Sequence, residues 1–213
     1  MPITNRLYFA QVAYGVWADW VQVINVSGEN SKVVAIARNV NGIQVWSAER
    51  ALSSYQGWVI PVESASLYQE LNLEVRSDKA IVGERHCHLG TEVLAFPGAS
   101  PEMGTAGYRL FFPELVAECA DWFIVFNISE AEANVNVIVR DVNGTVATTF
   151  SNKMRPMGYW AFSDQQTGRV QGTLEISSDQ MIVAERHLHY QGTYHPNGVA
   201  VGQLGQVIDQ PLI

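Results

Sequence analysis

Apolar and polar residues alternate with a period of two along much of this chain. Trp20, Gln22, Ile24 and Val26 fall on one side of an extended run, and Trp122, Ile124, Phe126 and Ile128 do the same further on. A period of two marks β-strands, because successive side chains point to opposite faces of the pleat. The two runs therefore predict strands whose core-facing sides carry Trp20 and Trp122. Asn41-Gly42 and Asn143-Gly144 lie between β-rich runs, where Asn-Gly supplies the positive φ of a tight hairpin. Ser77-Asp78-Lys79 and Ser178-Asp179-Gln180 predict a second hairpin in each half, just ahead of a histidine-bearing strand. No stretch shows a convincing helical period. About seven short strands in each half, with turn signals every ~8–12 residues, predict a sandwich.

The same words recur along the chain. Ala18-Asp19-Trp20 returns as Ala120-Asp121-Trp122, and Arg38-Asn39-Val40-Asn41-Gly42 returns as Arg140-Asp141-Val142-Asn143-Gly144. Ile81-Val82-Gly83-Glu84-Arg85-His86-Cys87-His88 returns as Ile182-Val183-Ala184-Glu185-Arg186-His187-Leu188-His189. The offset stays at about 101 to 103 residues throughout, and register kept over that length points to duplication. The expectation is an all-β chain of two tandem, homologous, Ig-like β-sandwich domains, one over residues 1–98 and one over 99–213. The boundary falls in the Pro- and Gly-rich stretch 97–104, short enough that the two domains should touch.

Composition narrows the classes. Of 213 residues, 47% are hydrophobic and 16% charged, enough apolar content for packed cores. The net charge is −8, with no cluster of Lys and Arg to neutralise a run of phosphates, which argues against nucleic acid and anionic membranes. No apolar run approaches the ~20 residues of a membrane helix. The first residues, Met1-Pro2-Ile3-Thr4-Asn5-Arg6, lack a charged leader followed by an apolar stretch, so no secretory signal is expected in the sequence as given. Cys87 and Cys119 have no metal-pair spacing and match Leu188 and Trp17 in the other copy, so both are expected to be packed thiols rather than a bridge.

The Glu-Arg-His-x-His strand is the most suggestive chemistry. Alternation puts Glu84, His86 and His88 on one face and Arg85 and Cys87 on the other; Glu185, His187 and His189 likewise share a face opposite Arg186. Two imidazoles two residues apart on a strand, with a carboxylate beside them, suit zinc, copper or iron. His195 is a candidate third imidazole in the second copy, where the first copy has none. The alternative is that these are surface or contact residues that duplication has copied. Arg85 and Arg186, on the apparent core face, each need a partner, and Asp19 and Asp121 are the expected ones. Trp17, Trp46, Trp58, Tyr159 and Trp160 are expected mostly in cores or at the domain contact, with a sugar-stacking platform as the alternative. No Gly-x-Ser-x-Gly elbow, phosphate-cradling loop or Cys-based nucleophile pattern occurs.

Each copy opens with an aromatic strand (Arg6-Leu7-Tyr8-Phe9; Arg109-Leu110-Phe111-Phe112), continues through Asp-Trp and Asn-Gly, and closes on Ser-Asp and Ile-Val-x-Glu-Arg. This order resembles the tandem β-sandwich repeats of secreted and cell-surface bacterial proteins, a family of poorly defined function. The resemblance implies extracellular structural, adhesive or binding work rather than catalysis. The chain departs from it in placing His-x-His after Glu-Arg. The function expected is a non-enzymatic assembly module whose partner is itself, as oligomer, filament or surface layer. Only three lysines guard its strand edges, and the apolar stretch 207–213 is expected to reach a neighbour. The rivals are a glycan- or small-ligand-binding module and a His-ligated metalloprotein.

Overall fold

The computed structural model describes residues 4–15, 17–66, 69–190 and 198–208. The first half contributes β1 (Thr4–Val12), β2 (Ala18–Asn25), β3 (Ser31–Arg38), β4 (Gln44–Leu52), β5 (Gly57–Ile60), the single-turn α1 (Glu63–Ser66), β6 (Leu71–Leu89) and β7 (Glu92–Pro97). The second contributes β8 (Gly107–Leu115), β9 (Ala120–Asn127), β10 (Ala133–Asp141), β11 (Val146–Met154), β12 (Tyr159–Ser163), the single-turn α2 (Asp164–Thr167), β13 (Gly172–Tyr190), β14 (Val199–Leu204) and β15 (Gln206–Val207). The chain is a β-sandwich protein, nearly all strand, with one hydrogen-bonded sheet of seven strands in the first half and one of eight in the second.

Each sheet is organised by one 19-residue strand. The first part of β6 is flanked by β1 and β3, with Leu73 opposite Phe9 on one side and Ala37 on the other. Its second part is flanked by β2 and β7, with His86 opposite Trp20 and Ala95. The strand thus serves both layers of the sandwich. In β13 the same exchange takes place, from β8 and β10 to β9 and β14.

The changeover corrects one expectation. Ser77-Asp78-Lys79 lies within β6 rather than in a hairpin. The Asp78 carboxylate accepts from the Lys32 backbone N–H and the Ser31 hydroxyl, so the side chain satisfies the start of β3 where the ladder changes partners. Asp179 does the same for Asn134. The Asn-Gly turns do form, with φ of +76° at Gly42 and +81° at Gly144. In each, an acceptor two residues before the Asn closes the loop: Asn39 Oδ1 accepts from Asn41 and Ile43, and Asp141 Oδ1 from Asn143 and Thr145.

A second correction concerns the tryptophans. The core face of β2 carries Val21 and Val23, and that of β9 carries Phe123 and Val125. Trp20 is half-buried and Trp122 exposed, both on the opposite face. Both faces of these strands carry large apolar residues, so alternation alone does not tell which one faces the interior. The polar residues Asn25 and Asp19 follow the core face because both are satisfied there. Asn25 Nδ2 donates to the carbonyls of Glu29, Leu52 and Ser53, and Asp19 is paired with Arg85.

The two halves are packed together. Tyr8, Ala10 and Ala99 meet Ile124, Phe126 and Val183, with the Tyr8 and Phe126 rings edge to face at 5.7 Å. Leu94 and Phe96 meet Ala200. Gly202 is obligatory here, since a Cβ would lie 2.6 Å from the Phe96 ring. The segment 206–208 pairs with the chain's own β8, and residues 209–213 of the expected reaching arm lie outside the described residues.

Candidate functional site

Repetition of the Glu-Arg-His-x-His strand yields two different environments. In β6, Glu84, His86 and His88 occupy an open face. Both imidazoles lie against the Trp20 indole, at centroid distances of 5.4 and 4.8 Å, and His86 Nε2 is 2.7 Å from the Glu84 carboxylate. The two imidazole centroids are 6.4 Å apart, spaced by the strand repeat. Beside them Gln22, Ile24, Val82 and Gly83 line a shallow open groove.

In β13 the same face is buried against the first half. Glu185 has no exposure. One of its oxygens accepts from the Ala10 N–H at 2.7 Å and the other from Arg85 Nη1 at 3.1 Å. Arg85 also grips Asp19 through Nε and Nη2, so one guanidinium joins a carboxylate of its own half to one of the other. Burial works against that charge, but Asp19 and Glu185 outweigh it and hold the guanidinium protonated. His189 Nδ1 meets the buried Glu92 carboxylate at 3.1 Å, and Trp17 packs on its ring. His187 lies on Phe96, and burial lowers its pKa below the usual imidazole value. Its Nε2 is 3.8 Å from Glu185 and has no hydrogen-bond partner among the described residues.

The candidate metal ligands are therefore spread over two surfaces. Glu84, His86 and His88 share the open face; Glu185, His187 and His189 share the contact between halves; His195 lies outside the described residues. Among the described residues, no three His, Cys, Asp or Glu side chains converge as a metal site. The arginine pairings form as the sequence implies, Arg85 with Asp19 and Arg186 with Asp121. Arg186 differs in its remaining bonds, which go to the Glu114 carbonyl and Gln203 within its own half. Cys87 and Cys119 are buried free thiols, and burial pushes Cys87 up to about 12. Trp58 is in the first core, while Trp46 and Trp160 pack against the first and second cores. Tyr159 and Trp17 pack at the contact between halves.

Between the halves is a crevice of about 110 Å³ lined by Gln11, Trp17, Trp122, Ile124, His187 and His189. It is small for a drug-sized ligand, whose sites usually span ~300–1,000 Å³. Glu92 is the contact residue the sequence reading passed over. Its signal was available, since it occupies the apolar phase of Glu92-Val93-Leu94-Ala95-Phe96, where a carboxylate must be buried and paired.

No family model matches this chain, and no curated protein does. Solved structures overlap it loosely. A Thermotoga maritima protein designated 1070 is 11% identical at a TM-score of 0.42, covering 49% of this chain and 97% of its own. A Bacteroides uniformis β-glucuronidase is 10% identical at 0.21, covering 92% of this chain and 25% of its own, so this chain spans about a quarter of it. The PBSX exported protein XepA is 10% identical at 0.29, covering 87% and 81%. These are likenesses to bacterial proteins at a level that assigns no family and no activity. No helix among the described residues is long and apolar enough to cross a membrane.

Proposed function

We propose that this chain is a non-enzymatic assembly module made of two tandem Ig-like sandwich domains, residues 1–98 and 99–213, whose partner is a further copy of itself. The observation that carries this reading is the contact between the halves. It joins different surfaces of two similar units: β1 and β7 of one against β9, β13 and β14 of the other. It contains two apolar clusters and a buried ion pair. A contact between unlike surfaces leaves one unsatisfied copy of each at the two ends, and such contacts propagate into rings or filaments. The extracellular setting rests on the sequence resemblance to surface repeats.

Light scattering at rising protein concentration tests the reading. Masses above the 23.6 kDa of one chain are expected, and a strict monomer at high concentration overturns it. A saturable thermal shift with sugars, in a protein that stays monomeric, would favour the glycan-binding alternative instead.

A further inference from the structure

We infer that the open face of β2 and β6 is the docking surface for the second half of another copy, which seats β8 and β14 on it as β1 and β7 are seated on β9 and β13 within the chain. This deepens the assembly reading and rests on it. The two halves share one strand register. Asp121 to Asn127 pair with β13 as Asp19 to Asn25 pair with β6, so positions on the two units correspond one to one. Ile124, Phe126, Val183, His187 and His189 are all buried by the first half. Of their counterparts Gln22 is exposed, and Ile24, Val82, His86 and His88 are half-buried.

The complementary surface is open along β14, beside the buried Arg186 and Leu188. In β7, Leu94 and Phe96 lie opposite Cys87 and Arg85; in β14, Val201 and Gln203 lie opposite the corresponding Leu188 and Arg186. Leu94 and Phe96 are buried, whereas Val201 is 39% exposed. The alternate positions reverse the pattern. Ala200 is buried in the contact, and its counterpart Val93 is 45% exposed. β7 and β14 thus each have one face used and the other free, and the free faces belong to the two sides of a second contact of the same kind.

The substitutions across this second contact compensate. Within the chain, the large Phe96 demands the small Gly202. Between copies, Gln203 replaces Phe96 and Ala95 replaces Gly202, so a smaller group meets a slightly larger one. Phe111 stands for Tyr8 and Ile24 for Phe126, so an aromatic pair becomes an aromatic–aliphatic one that is still apolar. Glu92 against His189 becomes Val199 against His88, and Val199 is now 57% exposed. The ion pair is not repeated. Glu84 is paired with His86, and Arg186 is satisfied in its own half. Pro113 stands where Ala10 donates its N–H to Glu185. The contact between copies is therefore the weaker of the two and reversible, although its apolar pattern is the same.

The test uses the full chain and two variants, Val82→Glu on the receiving face and Val201→Glu on the docking face, followed by sedimentation velocity. Wild type should associate as concentration rises. Each variant alone should weaken association at least tenfold and run as one chain of 23.6 kDa. An equimolar mixture of the two should form a 1:1 dimer, because each supplies the surface the other lacks. Circular dichroism melting checks that both are folded; if either is not, Val93→Glu and Val199→Lys take their places. A monomeric wild type overturns the assembly reading itself. Associating wild type with equally associating variants overturns this surface alone. Monomeric variants that fail to form the mixed dimer overturn the head-to-tail pairing.

Discussion

Glu84 and Glu185 hold the same place in the same motif, yet one is in water and the other has no exposure. Removing Glu185 strips Arg85 of one carboxylate and leaves the Ala10 N–H unsatisfied in an apolar contact, so Glu185→Ala should cost about 2–4 kcal/mol. Glu84→Ala, at a surface position, should stay within about 0.5 kcal/mol. Urea melts of dilute protein compare the two directly. His187 adds a pH signature. Burial holds its native pKa below the unfolded value of 6.5, so near 6.5 the unfolded chain binds the extra proton. Stability is then full above about 6.5 and falls with acidification between that pH and the lowered native value. His187→Gln should flatten this stretch of the pH–stability curve; an unchanged slope would show that the titrating group is another. The Arg–Asp pairs were legible because an arginine on a core face must find an acid. The burial of Glu185 was not, because the identical motif in β6 is open and only the neighbouring half decides between them.

The strands carry the same lesson in their turns. Asn-Gly announced both hairpins, and both glycines take the left-handed φ that other residues adopt at a cost. Their surroundings differ. A Cβ on Gly144 meets nothing within 4 Å, while one on Gly42 would lie 1.9 Å from the Pro156 carbonyl of the other half. Gly144→Ala should therefore cost about 1 kcal/mol of backbone strain, and Gly42→Ala clearly more, with the contact between halves loosened. Thermal melts of the pair check this; equal losses would mean the loop around Pro156 simply yields. Ser-Asp, which reads as a turn, instead marks the point inside β6 and β13 where the strand changes partners. Asp78 and Asp179 favour turns because they bond nearby backbone N–H groups, and here the N–H belongs to the next strand. The period of two identified the strands but not the inner face of β2 and β9, since both sides of those strands carry large apolar residues. One side meets its own core; the other is covered by the first half in β9 and is open in β2.

At the scale of the molecule, the two halves make one contact, and the proposed assembly makes a second of the same kind between copies. The repeated words were plain in the sequence. The direction of the contact was not, because sequence matching pairs Trp20 with Trp122 and His86 with His187 as equals, and only packing shows that one set is covered. Side-chain footprinting with hydroxyl radicals, repeated across a range of protein concentrations, tests the account most directly. Trp20, His86 and Val93 on the receiving face, and Val199 and Val201 on the docking face, should lose reactivity together as concentration rises. Exposed Val45 and Val146, on the outer strands β4 and β11, should not change. Reactivity independent of concentration at both faces, or protection confined to β4 and β11, would contradict it.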